Sequence, residues 1–251
     1  MLSKLHAHPR DTRITFLEEG HVYTLEGIDN KPTSVTTLIH RYFPEFNDDL
    51  VIAKMMASPK WKDSKYFGKT PEQIKQEWKD KSNEASKAGT LMHKSIEDTL
   101  NGVVVTNDTV EYQMFLKFWS DIQHQYPDWE VDRTEWLIYD NSGKVAGSID
   151  CILRNKRNPD QIMILDWKRS KEIKYTNKFA KGTGPFANLD DCNYVHYSLQ
   201  LNIYRRIVET CYDKQVVYMM LIIMHPNNVS YQCIPIQLMA IDAIWSVFIS
   251  N

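Results

Sequence analysis

The sequence predicts an α/β fold: a mixed β-sheet flanked by helices, its central elements in the order αβββαβ, with an N-terminal hairpin and helical elaboration in front. Three observations predict it. Apolar runs at about Val131 to Tyr139, Val145 to Leu153 and Ile162 to Trp167 follow one another with only turn residues between them, as in a meander. An amphipathic span from about Tyr194 to Tyr212 comes next and is too long for a strand. A further apolar run, Val216 to Met224, begins directly after it, so the helix reads as a crossover and the sheet as mixed.

The elements before that core have local signals. Ile14 to Glu18 and Val22 to Glu26 alternate about Glu19-Gly20-His21, a β-hairpin. Ser34 or Thr33 caps a short helix through Leu38 and Ile39 that ends before Pro44, and Asp48 caps a second through Met56. Thr70-Pro71-Glu72-Gln73 combines an N-cap, a proline at the first helical position and a capping-box glutamine. It opens a helix to about Lys81; another, continuous with it or separate, covers about Asn83 to Leu100 and stops at Asn101-Gly102. Asp108-Thr109-Val110-Glu111 is a second capping box, opening a helix to about Tyr126, before Pro127.

Within and after the core, Asn141-Ser142-Gly143 turns the first strand into the second, and Asn155 to Asp160 turns the second into the third. Lys171 to Asp191 is a loop. Pro226-Asn227-Asn228 leads into a last strand, Val229 to Ile234, and a short amphipathic helix closes the chain. The expected division is an elaboration at 1–82 packed on a core at 83–251, the two forming one structural unit. No internal repeat, low-complexity tract or linker interrupts the sequence.

At 251 residues, 43% hydrophobic and 25% charged, the composition is that of a globular domain. Val216 to Met224 is too short to span a bilayer, and the start, MLSKLHAHPR, lacks the apolar core of a secretory signal. Cys151, Cys192, Cys211 and Cys233 are scattered, with neither zinc-site spacing nor a disulfide pattern. These features imply an intracellular, reducing compartment (cytoplasm, nucleoid or a viral replication site) and no membrane partner. The net charge of −2 excludes a wholly basic binder but leaves local nucleic-acid patches open.

The chemistry concentrates at Asp166-Trp167-Lys168, which closes the apolar run Ile162 to Leu165. Asp166 and Lys168 are two apart and share one side of their strand, while Trp167 faces the core. If the second and third strands pair, Asp150 lies beside Asp166. Carboxylate oxygens suit Mg²⁺ or Mn²⁺, and a lysine beside them can orient water or steady a charged phosphate. Taken alone, the triplet reads more readily as a surface ion pair at a strand end. His93 and Glu97, at i and i+4, share a helix face, either as a metal-ligand position or as an ordinary pair. Gln200 and Tyr204 share another face and offer hydrogen bonds to a phosphate or to the Lys168 amine, or form the polar edge of an amphipathic helix. Lys171, Lys174 and Lys178 follow the third strand with Tyr175 and Phe179 interleaved, a pattern that suits phosphates and unpaired bases as well as a solvated loop.

In chain order, Gly89–His93 (G-T-x-x-H), Glu135, Gly147–Asp150 (G-x-x-D), Asp166–Lys168 (D-W-K) and Gln200–Tyr204 (Q-x-x-x-Y) resemble the PD-(D/E)XK nuclease superfamily, in its RecB-like exonuclease branch. The resemblance covers about Asn83 to Met224. Pro32 to Leu38 with Tyr42-Phe43-Pro44, and Gly184-Pro185-Phe186 with Asp191-Cys192-Asn193, are similar to a narrower group, nucleases of phages and large DNA viruses and the mitochondrial genome-maintenance exonuclease. The resemblance implies a restriction-endonuclease-like core and a metal-dependent deoxyribonuclease, an exonuclease on single-stranded DNA or DNA ends working in replication, recombination or repair beside proteins of those processes. It implies Mg²⁺ or Mn²⁺ held by His93, Asp150, Asp166 and the Trp167 carbonyl, with Lys168 as the catalytic lysine and Glu135 close by in a supporting or second-metal position. Gln200, Tyr204 and, on the following loop, Arg169, Lys171, Lys174 and Lys178 would contact substrate. Ile149 replaces the proline of the superfamily name, and Arg169 stands where a small hydroxyl residue is common. An endonuclease on branched DNA or on RNA, and a non-catalytic nucleic-acid-binding module, are the competing expectations.

Overall fold

The computed structural model describes residues 1–250. They form two compact units, residues 1–44 with 92–250, and Glu45–Leu91. The division differs from the expected 1–82 and 83–251. The hairpin and the first capped helix bury their apolar faces against the sheet, so residues up to Pro44 belong with the core.

In the larger unit, helix α1 (Leu2–Leu5) precedes a 3₁₀ turn (Pro9–Arg13) and the hairpin of β1 (Ile14–Leu17) and β2 (Val22–Leu25). The two-residue strand β3 (Thr33–Ser34) leads into α2 (Val35–His40), where Ser34 provides the cap by accepting from Thr37 N–H. The smaller unit holds α3 (Asp48–Met56) and the first part of α4 (Pro71–Leu100), one unbroken helix rather than two. Asn47, not Asp48, caps α3. The Thr70/Gln73 capping box is present in both directions. Ile52, Tyr66 and Ile74 form the small core there, with Trp78 Nε1 donating to Tyr66 Oη at 2.8 Å.

Next in the larger unit, α5 (Val110–Gln125) starts from Thr109, not the expected Asp108. Strands β4 (Trp129–Tyr139), β5 (Val145–Asn155) and β6 (Asn158–Lys168) are longer than their apolar runs; β5 and β6 pair again at Asn155 and Asn158 beyond a bulge at 159–161, which leaves only Lys156-Arg157 at the turn. Crossover helix α6 (Asn193–Cys211) leads to β7 (Gln215–Ile223), β8 (Gln232–Pro235) and α7 (Trp245–Ser250). The six-stranded sheet is mixed: β4–β5–β6 are antiparallel, β6–β7 parallel, β7–β8 antiparallel, and β3 pairs with the start of β5 in parallel. The expected α/β sheet flanked by helices is therefore present.

Each face of the sheet has its own core. Ile152, Ile164 and Leu221 meet α2 and α6, while Leu153, Leu165 and Trp167 meet α5 and the end of α4. The alternation along β6 follows directly from its pleat. It puts Trp167 between Phe115 and Phe118 of α5, and puts Asp166 and Lys168 on the opposite side, toward α6. All four cysteines are free, and among the described residues no helix is long and apolar enough to cross a membrane.

Candidate active site

The site lies where two regularities of the sheet fail together. Trp136 and Ile138 of β4 and Ile149 of β5 face the α6 layer. Yet Thr134, two residues from Trp136, is hydrogen-bonded by Asn101 at the end of α4, and Cys151, two residues from Ile149, lies in the α4/α5 core. Side chains two apart in a regular strand share a face, so both strands switch faces at one place. The register, Thr134 against Cys151 and Trp136 against Ile149, sets Glu135 opposite Asp150 at that switch. Glu135 has φ 45°, a left-handed conformation costing a non-glycine residue roughly 1–3 kcal/mol. Nothing in the alternation pattern of β4 signals this kink.

The second irregularity is between β5 and β6, which pair only as far as Cys151 against Leu165. Beyond it, Asp150 Oδ2 accepts the Trp167 N–H at 2.7 Å, so a side chain replaces the missing backbone partner. On the freed stretch of β5, Tyr204 packs directly on Gly147. A Cβ at Gly147 would sit 2.5 Å from Tyr204 Cε1 and 3.2 Å from its Cζ and Oη. Gly147→Ala is therefore expected to displace Tyr204 and to cost about 2–3 kcal/mol, measured by chemical denaturation.

His93, from α4, reaches into this corner. Its Nε2 is 3.0 Å from the Trp167 carbonyl, and its Nδ1 is 3.7 Å from both Glu135 Oε1 and Asp150 Oδ2. The ordinary His93–Glu97 pair, the alternative to a ligand role, does not form: Glu97 pairs with Lys94 at 3.2 Å. One ligand atom each of His93, Glu135 and Asp150 lie within 4.8 Å of one another. Ser148 Oγ donates to Glu135 Oε2 at 2.9 Å and fixes that carboxylate. Asp166 is not in this group. It is 1% exposed, and its Oδ2 meets Lys168 Nζ at 2.5 Å, while the ammonium lies 4.9 Å from the Tyr197 ring centre. Glu135 thus stands among the ligand candidates, ahead of its expected supporting place, and Asp166 serves first as the partner of Lys168.

Electrostatics explain what the corner accepts. Burial raises the Asp150 carboxyl above its usual range, and the neighbouring Glu135 adds to this against the pull of His93 and Lys168. Burial also lifts Asp166 to about 6, against the pull of Lys168. For His93 burial acts downward, but Asp150 and Glu135 outweigh it and raise the imidazole to about 9. Burial likewise disfavours charge on Lys168, but Asp166 and Asp150 outweigh it and hold the ammonium protonated. Three carboxylates thus face two cations, one of them an imidazolium. A divalent cation replacing the imidazolium proton brings the group to neutrality. One imidazole, two carboxylates and a backbone carbonyl form a donor set that fits Mg²⁺ or Mn²⁺.

This gives a pH dependence of definite sign. The His93 pKa is higher folded, about 9, than unfolded, about 6.5, so its contribution to stability is complete below pH 6.5 and is lost as pH rises through 9. Metal-free protein is expected to melt at progressively lower temperature over that window in EDTA. Mn²⁺ affinity is expected to run the other way, increasing with pH because metal and proton compete for the imidazole; calorimetric titration at two pH values measures it.

Other expected site residues fall in different places. Gln200 Nε2 donates to Tyr204 Oη at 2.9 Å, and Tyr204 is 4% exposed. These two brace each other and the β5 surface rather than meeting the Lys168 amine. Arg169 is engaged by Glu111 of α5 at 2.5 Å, which ties the end of β6 to that helix. Lys171, Lys174 and Lys178 are exposed, as is Phe179 at 98%. Their loop is nevertheless pinned: Asn177 N–H donates to Asp190 Oδ2 at 3.0 Å, its amide donates to the Asp191 carbonyl at 2.7 Å, and Asn193 Oδ1 accepts the Lys174 N–H at 2.8 Å. Sequence reasoning missed Tyr23 and Ser148. Tyr23, on β2, is buried with its phenol raised first by burial and then by Glu135 and Asp150, so the hairpin contributes to this corner. The available signal was the alternation of Val22-Tyr23-Thr24-Leu25, which sets Tyr23 on the same face as Leu25.

No family model and no curated protein matches this sequence. Among solved structures, one described as the crystal structure of SSO0001 is similar at 12% identity and a TM-score of 0.35, over 90% of this chain and 76% of that one.

Proposed function

We propose that this protein is a divalent-metal-dependent deoxyribonuclease that hydrolyses phosphodiester bonds, working as an exonuclease on single-stranded DNA or DNA ends. The observation that carries the reading is the meeting of a His93–Glu135–Asp150 ligand group with the buried Asp166–Lys168 pair where β5 and β6 part. Held there, Mg²⁺ or Mn²⁺ supplies Lewis-acid polarisation of a phosphate oxygen and eases ionisation of water. Asp150 has a double task, since the carboxylate offered to the cation also holds the Trp167 N–H and with it the Trp167 carbonyl. Lys168, kept protonated, acts as a fixed cation toward the phosphate rather than as a base. Asp166 positions its ammonium.

The choice of single strands rests on the pinned loop after β6. Its lysines suit phosphates, and exposed Tyr175 and Phe179 suit stacking with unpaired bases. The test is digestion of end-labelled linear and circular single-stranded DNA, duplex DNA and RNA with each metal. Linear single strands shortened from an end, with circles intact, is the expected result. Cut circles would make the enzyme an endonuclease, preferential RNA cleavage would change the substrate, and tight binding without cleavage by either metal would make it a binding module.

A further inference from the structure

Pro32 to Leu38, singled out in the sequence, contributes no ligand to the corner described above. It instead helps to build a second concavity at the start of β5. A cavity of about 410 Å³ is lined by Ile28, Asn30, Lys31, Thr33, Leu38 and Arg41 on one side and by Ser142, Gly143, Lys144 and Val145 on the other. Val145 is five residues from Asp150, about 17 Å along an extended strand, so the cavity is distinct from the candidate active site.

Its chemistry is one-sided. Among the described residues, Lys31, Arg41 and Lys144 border it, no carboxylate does, and none of the three is in an ion pair. Arg41 Nη2 donates to Thr33 Oγ1 at 3.2 Å and Lys144 Nζ donates to the Ile249 carbonyl, which leaves each cation further donors. Leu38 and Val145, each 1% exposed, close the back of the cavity, and half-buried Ile28 is the apolar side chain at its surface. Gly143, at φ 71°, has room for no side chain because Ile28 occupies the space where its Cβ would be. The β4–β5 turn and the segment leading to β3 are thereby brought together around the cavity, and the register Thr33 against Val145 fixes them.

A half-buried apolar side chain beside a cationic, hydroxyl-bearing rim, at a volume within the small-ligand range, matches an apolar body that carries a phosphate. We propose that this cavity binds a nucleotide unit, its phosphate held by Lys31, Arg41 and Lys144 and its base against Ile28. The unit arrives either as a free mononucleotide or as part of a nucleic-acid strand. The proposal stands on the cavity alone and not on the catalytic reading.

The test is calorimetric titration of the full chain in EDTA with deoxyadenosine 5′-monophosphate, inorganic phosphate and a twelve-nucleotide single strand. Lys31→Glu, Arg41→Ala and Lys144→Ala alter exposed side chains, and matching circular-dichroism melts establish that each variant is folded. Free mononucleotide as the ligand predicts a loss of about tenfold or more in its affinity in all three variants, with a change at the exposed Lys54, Lys54→Ala, leaving it unchanged. Strand as the ligand predicts that loss for the twelve-mer instead, with a shallower salt dependence as phosphate contacts are removed. Equal affinity for inorganic phosphate overturns the nucleotide assignment. Affinities for nucleotide and twelve-mer that match wild type in all three variants overturn the site.

Discussion

Lys168→Ala is expected to lower kcat for DNA hydrolysis by about 10³-fold, because it removes a preorganised cation from a developing phosphate charge. It is also expected to destabilise the fold. Asp166 is 1% exposed and loses its partner, and breaking such a pair from one side costs about 3–5 kcal/mol. The two effects separate in a double variant. Asp166→Asn with Lys168→Met leaves no unpaired buried charge, and replacing a whole buried pair by groups of similar volume is close to neutral. The double variant is therefore expected to regain most of the lost stability and none of the activity. Denaturation curves and turnover on an end-labelled single strand, measured on both proteins, decide the matter. Activity within tenfold of wild type in the stable double variant would remove Asp166 and Lys168 from the chemistry.

Much of this arrangement was legible because strand physics is local. The run Ile162 to Leu165 has to be buried on both faces, so the charges that end it have to lie at the sheet's margin with Trp167 turned inward. The crossover helix and the parallel β6–β7 pair follow from the length of the Tyr194 to Tyr212 span. What escaped is cooperative between distant segments. The Thr109 cap leaves Glu111 free for Arg169, a residue whose role depends on how α5 packs against the end of β6. The reach of Tyr23 into the corner depends on where the hairpin docks. The pairing of His93 with Glu135 and Asp150, rather than with Glu97 one helical turn away, depends on a kink for which β4 carries no glycine, proline or other local mark.

That kink yields the second large expectation. Glu135 holds a left-handed backbone in the middle of a strand, and its carboxylate stands against His93 and Asp150 with Ser148 steadying it. If the strain exists to aim that carboxylate, ligand and strain can be removed separately. Glu135→Ala discards the ligand and keeps the positive φ on a residue with a Cβ. Glu135→Gly discards the ligand and accepts that φ without penalty. Both variants are expected to lose metal-induced stabilisation, which for an intact site reaches about 2.7 kcal/mol at a metal concentration a hundredfold above Kd. In EDTA, however, the glycine variant is expected to be the more stable of the two by about 1 kcal/mol, the reverse of the usual order in a strand interior. Chemical denaturation of both variants, with and without Mn²⁺, gives all four values. Alanine more stable than glycine in EDTA would mean that the backbone relaxes and stores no strain. Wild-type stabilisation by Mn²⁺ in either variant would mean that the metal is held without Glu135, by His93, Asp150 and the Trp167 carbonyl alone.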